Sequence, residues 1–129
     1  MVRRNIVARL DTHIAIWLYI GEDDHFSKPA LEILEGETLY ISPIVELEIT
    51  FLHETGKIKH NGPTVVGALV ERGLNISEVE LNQIVSTSNI LSWTRDPFDR
   101  LITADALAAN DKLITRDRLI RKNYKKAVW

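Results

Sequence analysis

The chain has 129 residues, 45% hydrophobic and 26% charged; that fits one ordinary globular domain with its own core and excludes a disordered or collagen-like chain. It has no cysteine, which excludes disulfides and thiolate zinc sites and permits a cytosolic home. The formal charge is −2, unevenly spread: residues 1–60 carry ten acids and six bases, whereas residues 112–126 carry seven bases (Lys112, Arg116, Arg118, Arg121, Lys122, Lys125, Lys126) and one acid, Asp117. A basic end beside an acidic cluster would let a polyanion dock; the plain alternative is a solvated positive surface. Met1 to Arg9 is too polar for a signal peptide, and no apolar run approaches the roughly 20 residues of a membrane helix. The chain therefore reads as soluble and cytoplasmic, without a membrane partner.

In chain order, Ile6-Val7-Ala8-Arg9-Leu10 reads as a short buried strand. Thr12 is placed to cap a helix from His13 to Tyr19, and Gly21 to Asp24 reads as a turn. Ser27 with Pro29 opens a second helix, with Ala30, Leu31, Ile33 and Leu34 on its buried face and Gly36 at its end. Leu39 to Ile41 reads as a strand, followed by a helix opened by Ser42-Pro43 and running to about Glu54. Gly62-Pro63 opens a further helix that ends near Gly73, and Leu74 to Ile76 is a short strand. Val79 to Leu91 reads as a helix weakened by Ser86, Thr87 and Ser88. Asp96-Pro97 opens a helix to about Ala109, Lys112 to Thr115 is a strand, Arg116 to Arg121 a helical turn, and Ala127 to Trp129 an edge strand. Strands alternating with helices indicate an α/β layer fold with a mostly parallel sheet. No linker, repeat or low-complexity tract divides residues 1–129, which read as a single domain.

Sites in open parallel sheets form outside the carboxyl ends of the strands. Asp11 follows the first strand and Asp117 the Lys112–Thr115 strand, while Glu48 and Asp99 lie on helices that begin just after a strand or a loop. Carboxylates converging on one pocket raise one another's pKa, and divalent cations with a taste for oxygen, Mg²⁺ or Mn²⁺, relieve that repulsion. Such ions deprotonate a water, orient a phosphodiester and stabilise the leaving oxygen. Taken singly, each acid has a bland reading. Asp11, Asp96 and Asp117 could be helix caps, and Asp99 could pair with Arg95 or Arg100. Glu48 lies on an otherwise apolar helix, where a buried charge is costly, but its neighbour Glu46 could be the inward one.

Four segments together resemble the motifs of PIN-domain nucleases of the VapC toxin type. Leu10-Asp11-Thr12-His13 resembles the opening motif. Ile41-Ser42-Pro43-Ile44-Val45-Glu46-Leu47-Glu48-Ile49 resembles the second, in which a Glu precedes Ile, and this register selects Glu48. Asp96-Pro97-Phe98-Asp99-Arg100-Leu101-Ile102 is similar to the third, with Asp99 as the metal-facing acid, and Leu113-Ile114-Thr115-Arg116-Asp117 to the fourth. The segments lie in family order over nearly the whole chain, and Asp96 to Asp117 is the most specific stretch. Two departures stand out. Trp93-Thr94 occupies the place where a His usually precedes the third motif. Pro43 and Val45 replace residues that are often small or hydroxylated.

The resemblance implies a three-layer α/β/α sandwich and an acidic pocket in which Asp11, Glu48, Asp99 and Asp117 hold Mg²⁺ or Mn²⁺ and catalyse RNA phosphodiester hydrolysis. Thr12, Thr115 and Asp96 would support them. Arg116, Arg118, Arg121 and Lys122 would contact RNA phosphates. It also implies a homodimer and a cognate antitoxin, seated against the apolar helices around residues 14–34 and 44–52. Trp17, Tyr19, Trp93 and Phe98 could stack bases, though core packing is the commoner fate of such residues. His13, His25, His53 and His60 lack metal-ligand spacing and read as surface or packing residues. Asp105 stands six residues after Asp99 and well around the helix, so it is not counted as a ligand. A PIN fold that only binds RNA or protein is the main alternative. A phosphotransfer receiver domain fits less well, because Asp11 has no acidic neighbour.

Overall fold

A computed structural model describes residues 6–129. Among the described residues five strands form one sheet: β1 (Val7–Leu10), β2 (Thr38–Ile41), β3 (Asn75–Ile76), β4 (Lys112–Ile114) and β5 (Ala127–Val128). Their order is β3-β2-β1-β4-β5, and every pairing is parallel. Parallel neighbours need crossovers, and seven helices supply them: α1 (Thr12–Ile20), α2 (Lys28–Gly36), α3 (Pro43–Glu54), α4 (Gly62–Glu71), α5 (Leu81–Ser88), α6 (Pro97–Ala109) and α7 (Arg118–Asn123). The chain winds outward from β1 in both directions, so the strand order reverses beside β1 and β4, where such sheets open a crevice.

Local chemistry explains most of the helix starts. Helices α2, α3, α4 and α6 each carry a proline in the first turn, after Ser27, Ser42, Asn61 and Asp96 caps whose side chains accept from early amides. Helix α1 departs from the sequence expectation. Asp11, not Thr12, is its cap; Thr12 is the first helical residue and its amide donates to Asp11 Oδ1 at 2.8 Å. Gly21 closes that helix at φ +77°, and the turn beyond it tightens into a 3-10 turn at Asp23–His25. Helix α5 is shorter than expected, spanning only Leu81–Ser88, because Ser88 turns its hydroxyl back onto Val85 O and breaks the run. Helix α7 starts at Arg118, two residues later than expected, because Asp117 caps it.

One core runs through the sheet, formed by Leu10, Ile14, Ile41, Val45, Ile49, Leu69, Ile102, Leu113, Ile114 and Ile120 among others. Ile84, Leu91 and Ala104 form a smaller cluster between α5 and α6. Arg9, though set in an apolar run, is 6% exposed. It alternates to the sheet face opposite Ala8 and Leu10. There Nη1 meets Asp105 Oδ1 at 2.6 Å, Nε meets Asp111 Oδ2 at 2.9 Å, and the guanidinium lies over Tyr40. Ser77 also donates to Asp105 Oδ1. Asp105 is thus a buried structural anion, as its position around α6 from Asp99 foretells.

Candidate active site

The carboxyl end of β1 delivers Asp11 and that of β4 delivers Thr115 and Asp117. Asp11 is tied down from both sides: its amide donates to Ile114 O, its Oδ1 accepts from the Thr12 amide, and its Oδ2 accepts the Thr115 hydroxyl at 2.6 Å. Thr115 Oγ1 in turn accepts from the Asp117 amide at 3.0 Å, and Asp117 Oδ1 caps Ile120 at 2.9 Å. Glu48 approaches from α3, where the Thr12 hydroxyl donates to its Oε1. Two positions earlier, Glu46 faces about 200° away around the helix, toward α4: its backbone and side chain crowd Gly62. The structure therefore agrees with Glu48 as the cleft-facing acid.

The fourth acid comes from the start of α6. Thr94 Oγ1 accepts from the Asp96 amide, and Asp96 Oδ1 accepts from the amides of Phe98 and Asp99. That turn presents Asp99 to the cleft. Neither Arg95 nor Arg100 pairs with it. Arg95 donates to Ser92 O, and Arg100 to the carbonyls of Ser88, Asn89 and Thr94.

Asp11, Glu48, Asp96, Asp99 and Asp117 line one cleft of about 450 Å³, shared with His13, Ile14, Trp17 and Arg116. Its electrostatics are those of anions held together against repulsion. Burial pushes the Asp11 carboxyl up, only partly offset by the Thr115 and Thr12 hydrogen bonds. Burial likewise pushes up Glu48, against the Thr12 bond, with Asp11 and Asp96 adding repulsion. Asp99 rises to about 7, first through burial and then through Asp96, Asp11, Asp117 and Glu48. Among the described residues no donor meets the Asp99 carboxylate to offset this.

The donor set is all oxygen, which suits Mg²⁺ or Mn²⁺. Among the described residues no three His, Asp or Glu side chains form a ready ligand group. Oxygen donors of this kind suit a hard ion that keeps several of its own waters. A smaller cavity of about 360 Å³ lies elsewhere, among Leu18, Leu34, Leu39, Leu69 and Leu74, away from the acids. Of the basic residues singled out by sequence, Arg116 lines the cleft itself, while Arg118, Arg121 and Lys122 are exposed on α7 beside it.

Sequence reasoning underrated His13 and Trp17. Both line the cleft, and the signal available was their place on the helix that Asp11 caps. Tyr19 pairs instead with His60 and Arg72, and Phe98 with Phe51. Trp93 packs on the core.

Comparison with known proteins agrees with this geometry. A model of the PIN domain matches residues 9–126. The chain is 29% identical to Ribonuclease VapC22 of Mycobacterium tuberculosis (strain ATCC 25618 / H37Rv) over 118 residues, which is 88% of this chain and 89% of that protein. VapBC2 from Rickettsia felis, solved bound to a DNA fragment from its promoter, superimposes with a TM-score of 0.68 at 18% identity, covering 96% of this chain and 98% of that one. A toxin–antitoxin complex from Klebsiella pneumoniae gives 0.63 at 21% identity over 95% and 96% of the two chains. VapBC-1 from nontypeable Haemophilus influenzae gives 0.62 at 21% over 94% and 92%. With the parallel five-stranded sheet and the acids at its carboxyl edge, these findings agree on one assignment: the chain belongs to the PIN-domain family.

Proposed function

We propose that this protein is a VapC-like ribonuclease that hydrolyses RNA phosphodiester bonds with Mg²⁺ or Mn²⁺ and serves as the toxin of a toxin–antitoxin pair. The observation that carries the reading is the convergence of Asp11, Glu48, Asp99 and Asp117, from four separate elements, on one cleft that raises the pKa of three of them. A structural role gives no reason to gather anions at such a cost. The relative called a ribonuclease and the relatives solved as toxin–antitoxin complexes support the same reading.

In this mechanism Asp11, Glu48, Asp99 and Asp117 would hold the cation. When bound, it supplies Lewis-acid activation of a water and neutralises charge on the phosphoryl group. Thr115 and Thr12 fix the carboxylates of Asp11 and Glu48, so little orientation remains to be found. Both threonines are fully buried, which keeps their hydroxyls from reaching a phosphodiester in the cleft; the nucleophile is water and no covalent intermediate forms. Asp96 aims Asp99, whose proton must leave before it can act as a ligand. Arg116, with Arg118, Arg121 and Lys122, holds RNA phosphates at the cleft's rim. The partners are RNA, a second copy in a homodimer, and an antitoxin that blocks the cleft. No helix among the described residues is long and apolar enough to cross a membrane; we place the activity in the cytoplasm.

The test is cleavage of total RNA by purified protein in Mg²⁺ or Mn²⁺, beside EDTA and Asp99→Asn controls. Metal-dependent cleavage lost in the variant is the expected result. No cleavage in any metal by folded, antitoxin-free protein would move the assignment to a PIN-fold binding module.

A further inference from the structure

The cleft has an aromatic border that the hydrolytic chemistry does not use. Trp17 lines it from α1, the helix that Asp11 caps, and its indole is packed among other rings. The imidazole of His25 stacks on it, with ring centroids 4.4 Å apart and planes 9° from parallel. Phe26 and Trp129 meet it at 6.2 and 6.3 Å in edge or tilted contacts, and His13 at 6.0 Å. His25 is thus the only described ring parallel to the indole, so one face of Trp17 is backed and no described ring stacks on the other. Trp129 also carries the Arg116 guanidinium 5.9 Å over its ring, and Arg116 lines the same cleft beside Asp117. The carboxylates, a flat aromatic surface and one cation therefore share a single cleft.

Resting on the ribonuclease reading above, we propose that Trp17 is a specificity-determining residue, the platform on which one unpaired base of the RNA stacks beside the scissile phosphate. The cleft volume of about 450 Å³ falls in the range of small-ligand sites. It has room for one extruded nucleotide. An indole offers its π-face to any base, and backing by His25 removes the entropy cost of fixing it on binding. Arg116, 5.9 Å over the Trp129 ring that contacts Trp17, then meets the phosphate of that nucleotide, so base and phosphate are gripped within the cleft that holds the acids. Purines, with the larger face, are held more tightly than pyrimidines.

The test uses the Asp99→Asn protein, which binds without cutting, and a short single-stranded RNA containing a bond that the wild type cleaves. A second RNA carries an abasic nucleotide at one or the other side of that bond. Adding Trp17→Ala is expected to weaken binding of the intact RNA roughly tenfold, the scale of one base–aromatic stack, and to leave the abasic RNA nearly unchanged. Trp17→Phe recovers most of the loss. Equal weakening on both RNAs would make Trp17 a packing residue and overturn the proposal, as would no weakening on either. Trp17 also touches the core. If Trp17→Ala fails to fold, Trp17→Leu, which keeps apolar bulk without a ring, is read by the same comparison. Wild-type protein that neither binds nor cuts RNA would instead sink the ribonuclease reading itself, a result separate from the behaviour of the Trp17 variants.

Discussion

The Thr115 hydroxyl donates to Asp11 Oδ2 at 2.6 Å and so joins the carboxyl ends of the two central strands, β4 and β1. This bond lowers a carboxyl pKa that burial raises. Thr115→Val keeps the shape and removes the donor. Asp11 should then rise further and hold a cation less well, with metal affinity or activity falling by about tenfold or more. A titration of cleavage rate against Mg²⁺ concentration at several pH values checks this. The variant needs more metal, and its profile moves to higher pH. An unchanged metal requirement would mean that the hydroxyl only braces the strands.

The raised carboxyls make stability depend on pH in a definite direction. In the unfolded chain Asp99 titrates at its ordinary 3.8, and in the folded protein at about 7. Its contribution is fully present below pH 3.8. It is lost as pH rises to about 7, because folding then has to keep an anion where burial opposes it. Asp11 and Glu48 add to the same trend. In EDTA the unfolding temperature should therefore fall over that window. Asp99→Asn should flatten the fall, and Mg²⁺ should restore the wild type above pH 7 but much less of the variant. Thermal melts with and without Mg²⁺ read all three. A wild type indifferent to Mg²⁺ at pH 8 would count against a cation among these acids.

Asp105 tests the ion pair buried at Arg9. It is fully buried, and its loss leaves Arg9, among the described residues, with only Asp111 as an anionic partner. Breaking a buried pair from one side costs about 3–5 kcal/mol. Asp105→Ala should show most of that in urea unfolding. Its residual folded fraction should cleave RNA with a normal metal requirement, since Asp105 pairs with Arg9 and Ser77 and does not line the acidic cleft.

Gly62 lets α4 touch α3. A Cβ there would sit 2.2 Å from Glu46 O and 2.3 Å from Thr50 Oγ1. Gly62→Ala must push the two helices apart or displace Thr50, which also accepts from the Gly62 amide. A loss of about 1–3 kcal/mol in stability is expected, measured by denaturant unfolding. Because α3 carries Glu48, activity should fall as well, beyond the fraction unfolded.

The fold was legible where punctuation was strong. Ser27 with Pro29, Ser42-Pro43 and Asp96-Pro97 each mark a helix start that the structure keeps. The strands stood out as apolar runs, though their order did not, because pairing of Val7 with Thr38 or of Ala8 with Lys112, far apart in the chain, leaves no local trace. The misplaced cap at Asp11 has a simple cause. Asp and Thr are both good caps, and the choice was made by Thr115 and Glu48, which are distant in sequence. Asp11, Glu48, Asp99 and Asp117 could be nominated only as a set, since a single Asp after a strand looks like a cap, and Asp117 and Asp11 do also cap. Trp17, His25 and Trp129 were illegible as a group because only the closed sheet brings the last residue of the chain to the first helix. Arg9 was hidden in the same way: its counter-ion lies 96 residues on.

Both borders of the sheet are strands of two residues, β3 and β5. A border that short exposes almost no unpaired backbone, so among the described residues there is no ledge along which a foreign strand could zip. Copies of this protein are thereby guarded from edge-to-edge aggregation. Any protein that holds it must grip side chains and helices instead of extending the sheet.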